Sequence, residues 1–185
     1  QGFWQYYKTL VRGRYPDVGL LGEALVFEID ELTNFQKFWG FDSLFDFPVQ
    51  QTIINVFAHG QGLTEFYSPF NTGNGIFERD TSYSNQNKLV SLLDNHDLSC
   101  RFMTAALDAA QGDHAKATMI MKTALTFIFT TRGIPQIYYG TEVGLEGRND
   151  PDNRRDFPWE KISSDNEVKK EFVHEKDIFD HTRKL

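Results

Sequence analysis

The segment Leu89-Val90-Ser91-Leu92-Leu93-Asp94-Asn95-His96-Asp97 passes from an apolar run directly into a polar turn. The apolar half is short for a helix and has the length and composition of a strand that is buried on both faces. The polar half places carboxylates and an imidazole where that strand would end. The segment therefore predicts a strand that delivers polar side chains to one edge of a sheet.

Other parts of the chain repeat this arrangement. A helix is predicted over residues 3–14, and further helices over residues 32–39, 49–57, 113–133 and from 166 onward. The helix over 113–133 has Asp113 as its expected N-cap and an apolar stripe at helical spacing, formed by Ala117, Ile120, Met121, Ala124, Leu125 and Ile128. The predicted strands cover residues 18–21, 42–47, 89–93 and 134–139, and a long irregular stretch covers 60–87. Strands that alternate with helices are typical of βα units and a parallel sheet. The expected order is one helix followed by four strands, each with a helix after it.

The composition is that of an ordinary globular domain, with 40% hydrophobic and 24% charged residues. The 185 residues suffice for one core. A complete (β/α)₈ barrel, one of the folds built from βα units, takes roughly 250 residues, so this chain is short for one.

The net charge of -7, without a run of Lys or Arg, argues against a nucleic-acid partner. No apolar run is long enough to span a bilayer, so no membrane partner is expected, and the single cysteine, Cys100, excludes an internal disulfide.

Two of the predicted strands run into carboxylates. Glu23 comes just after the strand over residues 18–21, and Asp97 follows the strand over 89–93 with His96 beside it. In a (β/α)₈ barrel these strand ends form the active site. Two carboxylates that share a pocket are what glycoside hydrolysis requires. Their positions in the sequence would equally fit a solvated loop residue in the case of Glu23 and a structural residue in the case of His96.

Four strings in this chain together resemble the α-amylase family, family 13 of the glycoside hydrolases. Leu21-Gly22-Glu23 resembles the family's fifth-strand motif, and residues 92–97 followed by Arg101-Phe102 resemble its seventh-strand motif. Residues 133–142 resemble the eighth strand, and residues 149–154 resemble the loop after that strand. The strings occur in the family's order, and within the family the chain looks closest to neopullulanase-like and α-amylase-type enzymes. The resemblance implies an α/β fold, a partial (β/α)₈ TIM barrel made of strands 5–8 with helices 4–8.

The resemblance also implies roles for five residues. Glu23 matches the general acid/base, and Asp97 matches the carboxylate that stabilises the transition state. His96 matches the histidine that hydrogen-bonds the sugar in the cleavage subsite. Asp150 and Arg154 match a pair that grips a sugar further toward the non-reducing side, with a surface ion pair as the alternative interpretation.

No cofactor and no metal are expected in this chain. Asp150, Asp152 and Asp156 lie close in sequence, but they do not form a calcium-loop pattern. The resemblance allows Ca²⁺ only in the part of the parent protein that has no counterpart here.

Aromatic rings in the long irregular stretch are candidate sugar platforms. Trp39, Phe41 and Phe45 are further candidates, and for each of the six rings taken singly core packing or loop anchoring is the favoured interpretation. Tyr67, Phe70 and Tyr83 are the better candidates, because core burial is less available in a loop.

The family's nucleophile, an aspartate on the fourth strand, has no match in this sequence. The resemblance therefore implies that residues 1–185 are the C-terminal half of a catalytic barrel, with the N-terminal half and the C-terminal β-domain absent, and that the chain alone is inactive. The expected partner is an α-glucan, cleaved at α-1,4 or α-1,6 bonds by a retaining hydrolase. The alternatives are a transglycosylase of the same family and a non-catalytic relative that serves as a partner subunit.

The same implied architecture predicts how the chain associates. A half-barrel has open strand edges, and such edges invite pairing with another chain. We therefore expect self-association or association with the missing half. The compartment is left open, since the parent could be extracellular or periplasmic.

Overall fold

A computed structural model describes residues 2–67 and 75–185 of the chain. Its α-helices are α1 (Gly2–Arg14), α2 (Ile29–Lys37), α3 (Phe47–Ile53), α4 (Phe102–Ala109), α5 (His114–Thr130) and α6 (Val173–Thr182). Its strands are β1 (Leu21–Gly22), β2 (Ser43–Leu44), β3 (Val90–Leu92) and β4 (Ile134–Gln136). None of the helices in these described ranges combines the length and apolar character that a membrane span requires.

The chain divides into two compact units. Unit 1 comprises Gln1–Thr52, Gly62–Ser91 and Arg132–Ile134. Unit 2 comprises Ile53–Gln61, Leu92–Thr131 and Pro135–Leu185.

Unit 1 contains the strand pairing. β1 lies parallel to β2, with Leu21 opposite Ser43 and Gly22 opposite Leu44. Phe45, just after β2, makes a further parallel bridge to Val90. The Ile134 amide donates to the Leu89 carbonyl at 2.8 Å, which joins the start of β4 to the residue before β3. The predicted parallel pairing is therefore confirmed for β1 and β2.

The strands are shorter than predicted, and the first one is also shifted along the chain. Residues 18–20 of the predicted strand are not in a strand, and β1 lies at Leu21–Gly22. Gly22 is needed there, because a Cβ atom at this position would meet the Phe41 ring at 2.8 Å. Behind this pair lies a core cluster formed by Ala24, Ile29, Leu32, Leu44, Tyr83 and Leu89.

Unit 2 is organised around α5. Asp113 accepts a hydrogen bond from the Lys116 amide at 3.1 Å, which confirms the predicted N-cap. The predicted apolar stripe is buried at Ala117, Met121, Ala124, Leu125 and Ile128. α4 was not predicted, because six of its eight residues are buried and the sequence lacks the alternation of polar and apolar faces that marks a surface helix.

Two predicted helices differ most from the prediction, while the ends of the others differ by up to three residues. The helix expected from residue 166 begins only at Val173, since Asn166 has a positive φ of 60° and Ile162 forms an antiparallel bridge with Val168. The helix predicted over 49–57 is α3, which continues as a π-helical segment over Ile54–Ala58. The irregular stretch holds short 3₁₀ segments at Leu63–Glu65, Ile76–Ser82 and Gln86–Lys88.

Candidate functional site

The turn that follows β3 separates its polar residues into two groups. Asp94 and Asn95 are buried, His96 is partly exposed, and Asp97 is exposed. The Asn95 side-chain oxygen accepts the amide protons of Asp97 at 2.9 Å and Leu98 at 3.0 Å. Such a bond pattern is an Asx turn, which fixes the local backbone. The buried pair thus builds the turn, and the next two residues are presented to solvent.

Asp94 anchors the turn to the rest of unit 2. Its carboxylate accepts hydrogen bonds from the Phe102 amide at 2.5 Å and from the Thr141 hydroxyl at 2.7 Å. The Phe102 amide is the first in α4, so the carboxylate also satisfies a donor that the helix leaves free. Burial raises the pKa of Asp94, and these two hydrogen bonds and the nearby Arg101 charge oppose that rise.

Four of the five residues assigned to the site come together in unit 2. Arg154 lies within 3.3 Å of the Asp97 carboxylate and 2.8 Å of the Asp150 carboxylate. The His96 Nε2 atom is 3.3 Å from Asp97 Oδ2. All four side chains are substantially exposed, and exposed ion pairs add little to stability. The cluster is therefore better suited to binding than to holding the fold together.

The surface ion pair between Asp150 and Arg154 is present, as the alternative interpretation required. Arg154 does more than close that pair, however, because it also contacts Asp97 and donates to the His96 carbonyl at 3.2 Å. The two interpretations are thus compatible with each other.

Glu23 lies in unit 1, immediately after β1. Gly22 and Ala24 are buried on either side of it, while Glu23 is exposed. This alternation directs the Glu23 side chain away from the unit 1 core, at the end of a strand paired in parallel with β2. The predicted position at a strand end is confirmed, and its catalytic role stays a prediction.

Two buried polar residues hold the turn after β3 in place, although neither was assigned to the site from the sequence. The Asn153 side-chain amide donates to the His96 and Leu98 carbonyls, both at 2.9 Å. Arg101 donates to the Asn153 carbonyl at 2.8 Å and to the Tyr139 carbonyl at 2.9 Å. Both residues lie within the segments that resemble the family, but the sequence does not show which carbonyl groups their side chains contact.

The Arg101 guanidinium is fully buried and is held mainly by neutral groups. Its central carbon lies 4.2 Å from the centroid of the Tyr138 ring and 4.9 Å from that of Tyr139. Aromatic faces and carbonyl oxygens can both stabilise a buried cation. Arg101 therefore links the residues after β4 to the loop that carries Asn153.

Glu142 is a further carboxylate that follows a strand, in this case β4. It lies in a 3₁₀ segment, Thr141–Val143, and is partly buried. Burial raises the pKa of Glu142, although backbone hydrogen bonds and Arg101 oppose the rise. One carboxylate oxygen has no hydrogen-bond partner in the part of the chain that the structure describes.

The three better candidates for sugar stacking differ in how exposed their rings are. Tyr83 is only 6% exposed and belongs to the unit 1 core, so its interpretation as a platform is wrong. Tyr67 is 61% exposed, with its ring 5.3 Å from that of Phe77, and is available for stacking. Phe70 lies outside the described residues.

The other three aromatic candidates have aromatic neighbours, which favours core packing. The nearest ring centroids are 4.1 Å apart for Trp39 and Phe35, 5.1 Å for Phe41 and Trp4, and 6.1 Å for Phe45 and Phe47. All three side chains are partly buried.

The acidic run after β4 is engaged by cations from the protein itself. Asp152 accepts hydrogen bonds from Arg155 at 2.6 and 3.0 Å and from the Arg148 amide at 2.7 Å. The hydrogen bond from Arg155 is the main cause that lowers the pKa of Asp152. This arrangement favours loop capping as the role of Asp152, and the expected absence of a metal site stays a prediction.

A cavity of about 680 Å³ in unit 2 lies away from these residues. Its lining includes His59, Cys100, Asp108 and Lys116, and none of the five assigned residues. Burial raises the pKa of the Cys100 thiol, so the reactive thiolate is disfavoured there. The cavity therefore gives no reason to move the predicted site away from the strand-end residues.

Comparison with known proteins places these features in a family context. The family model described as alpha amylase, catalytic domain, matches residues 1–185. A cyclomaltodextrinase from Bacillus sp is 33% identical over 168 residues, which cover 90% of this chain and 27% of that protein. Neopullulanase 2 from Thermoactinomyces vulgaris is 31% identical over 160 residues, which cover 86% of this chain and 24% of that protein.

A solved structure gives the corresponding likeness in three dimensions. The α-amylase from Geobacillus thermoleovorans, complexed with acarbose, matches 98% of this chain and 37% of its own with a TM-score of 0.71 and 29% identity. This likeness supports an α/β barrel fold. The chain spans about a quarter of the length of the two curated relatives.

Proposed function

This chain belongs to the α-amylase family, and we propose that it supplies the acid/base and the transition-state stabiliser of a retaining α-glucan hydrolase. In this proposal β1 to β4 correspond to strands 5–8 of the catalytic barrel. The substrate is a starch-like polysaccharide or a related oligosaccharide, cleaved at α-1,4 and, in some substrates, α-1,6 bonds. The names of the two curated relatives, a cyclomaltodextrinase and a neopullulanase, support this substrate class.

The proposed mechanism assigns one task to each site residue. Glu23 protonates the glycosidic oxygen as a nucleophile from the rest of the barrel bonds to the anomeric carbon and the bond to the leaving sugar breaks. It later takes a proton from the water that displaces this nucleophile and releases the bound sugar. Asp97 stabilises the positive charge that develops on the sugar ring in the oxocarbenium-like transition state. His96 hydrogen-bonds the sugar hydroxyls in the cleavage subsite, and Asp150 and Arg154 hold a sugar further along the chain.

The observation that carries the proposal is the cluster after β3. Arg154 contacts both Asp97 and Asp150, and His96 lies beside Asp97, so four groups able to bind hydroxyls occupy one exposed surface of unit 2. Carboxylates and a guanidinium offer complementary acceptors and donors for neighbouring sugar hydroxyls. The exposure of Glu23 at the end of β1 fits its assigned task of contacting substrate.

We place the nucleophile outside residues 1–185, because the family's motif for it has no match here. In this proposal the chain acts together with the remaining part of the barrel and is inactive alone. One surface of unit 1 supports the need for a partner. Phe3, Tyr6 and Leu10, spaced along one face of α1, are 67%, 64% and 56% exposed.

The test is hydrolysis by the full-length protein that carries this sequence. Release of reducing sugar from starch, pullulan and cyclomaltodextrin should fall by at least about 100-fold in Glu23→Gln, which cannot donate the proton, and in Asp97→Asn. Glu28→Gln is the matched control, since Glu28 is an exposed carboxylate on the loop that follows β1. Chromatography of the products separates hydrolysis from transglycosylation. A full-length protein that releases no sugar from any of these substrates would instead support a non-catalytic relative.

A further inference from the structure

The two carbonyl groups that flank Asp97 accept hydrogen bonds from a single amide. The Asn153 Nδ2 atom lies 2.9 Å from the His96 oxygen and 2.9 Å from the Leu98 oxygen. The side chain is almost completely buried, with 1% of the residue exposed. Its two N–H groups are thus directed at the backbone of the turn, away from solvent.

A second asparagine side chain binds the N–H groups of the same backbone. The Asn95 side-chain oxygen accepts the Asp97 and Leu98 amide protons at 2.9 and 3.0 Å. Two asparagine side chains therefore satisfy two N–H groups and two carbonyl groups around Asp97. A turn restrained in this way holds the Cα–Cβ direction of Asp97, and hence the region its carboxylate can reach.

Asn153 is itself held by a buried cation. Arg101 Nε donates to the Asn153 carbonyl at 2.8 Å, while the guanidinium lies against the Tyr138 and Tyr139 rings. Asn153 also precedes Arg154, which contacts Asp97 and Asp150. Any movement of Asn153 would therefore shift the turn at 96–98 and the Arg154 side chain together.

We propose that Asn153 is a positioning residue for His96, Asp97 and Arg154, and that Arg101 holds Asn153 in place. The inference rests on the proposed function, because it assumes that these three side chains act on a sugar. Its physical basis is that Asn153 contacts the backbone of the exposed turn directly. A displacement of about 1 Å at a reacting group can cost about 100-fold in rate.

The test compares Asn153→Asp and Asn153→Ala with Asn149→Ala in the full-length protein. Asn153→Asp keeps the shape of the side chain but places an acceptor against two carbonyl oxygens. Asn149 is an exposed residue of the same loop and serves as the control. On starch, at a temperature well below every variant's Tm, we expect kcat to fall by about 100-fold in Asn153→Asp, with a smaller change in KM. Asn149→Ala should match wild type within about twofold.

A second readout does not depend on activity. In NMR spectra of the full-length protein, the Asp97 and Leu98 amide signals should shift and exchange faster with solvent in Asn153→Asp and remain unchanged in Asn149→Ala. A lowered Tm with unchanged kcat would show a purely structural role and overturn the inference. A lowered kcat with unmoved amide signals would also overturn it. If Glu23→Gln abolishes hydrolysis while both Asn153 variants keep full kcat, this inference fails and the proposed function stands, whereas an inactive wild type refutes the proposed function itself.

Discussion

Arg132 and Asp80 form a two-point ion pair inside unit 1. Arg132 Nε lies 2.8 Å from Asp80 Oδ2, and Arg132 Nη2 lies 2.6 Å from Asp80 Oδ1. The remaining terminal nitrogen of Arg132 donates to Asp46, whose side chain is completely buried. One guanidinium thereby connects the end of β2, the 3₁₀ segment Ile76–Ser82 and the residues just before β4.

We expect Arg132→Lys to destabilise the chain by about 1.5–3 kcal/mol, the usual worth of a hydrogen bond to a charged group. Lysine has one compact charge and cannot make the bidentate contact while also reaching Asp46. Urea unfolding followed by circular dichroism measures the change. Arg79→Lys is the control, since the pair of Arg79 with Asp30 is exposed and its loss should cost less than about 1 kcal/mol. Equal losses in the two variants would contradict the expectation.

A second prediction concerns pH and Asp42. Burial alone would raise the pKa of Asp42, but the Leu20 amide, Lys8 and Arg12 together lower it below its usual 3.8. A lowered folded-state pKa stabilises the native state above 3.8, and this contribution is lost as the pH falls through the folded-state pKa.

Asp42→Asn should therefore reduce the free energy of unfolding by about 1–3 kcal/mol at neutral pH, the usual worth of hydrogen bonds to a charged group. The difference from wild type should shrink toward zero below about pH 3.8. Denaturant unfolding at a series of pH values provides the measurement. Asp17→Asn, at an exposed position, is the control. A difference that grows on acidification would refute the assignment.

Gly133 is expected to tolerate no side chain. Its φ is +99°, and a Cβ atom would lie 2.6 Å from the Leu89 carbonyl oxygen, the acceptor of the Ile134 amide. Gly133→Ala should cost at least about 2 kcal/mol through strain and loss of this pairing. Gly40→Ala shares a positive φ but meets only the flexible Lys8 side chain at 3.4 Å, so it isolates the effect of the backbone clash. Thermal melting of the two variants should differ clearly, and similar Tm values would argue against the clash.

The exposed face of α1 predicts association of the isolated chain. Phe3, Tyr6 and Leu10 form a contiguous apolar stripe of the kind that marks an interaction surface. Replacing all three with Ser should reduce the mass seen by light scattering. The control replaces Met119, Trp159 and Val173, which are similarly exposed but do not lie on one helix face. A wild-type chain that scatters as a single monomer would contradict both this prediction and the proposed need for a partner.

The sequence predicted features that depend on local pattern. The alternation of apolar runs with amphipathic helices indicated βα units, and the Asp113 N-cap and the buried stripe of α5 were correctly placed. Strand lengths were overestimated, because an apolar run shows which residues are buried but not how many of them pair. α4 was missed since burial on nearly all sides removes the polar face on which helix prediction depends.

Within the site, the sequence predicted the exposed groups and missed the groups that hold them. His96, Asp97, Asp150 and Arg154 were assigned by resemblance, and the structure brings them together in unit 2. Asn153 was not assigned, because nothing in its neighbours along the chain shows that its amide reaches carbonyl groups more than fifty residues away. Tyr83 was ranked too high among the candidate sugar platforms for the related reason that a residue in a loop can still be buried.

The paired asparagines around Asp97 have a thermodynamic consequence. Conformational entropy of the turn is lost when the protein folds, so little of it remains to be lost on binding. Under the proposed function, the affinity for a bound sugar then depends less on ordering the protein, and a larger share of the interaction energy can stabilise the transition state.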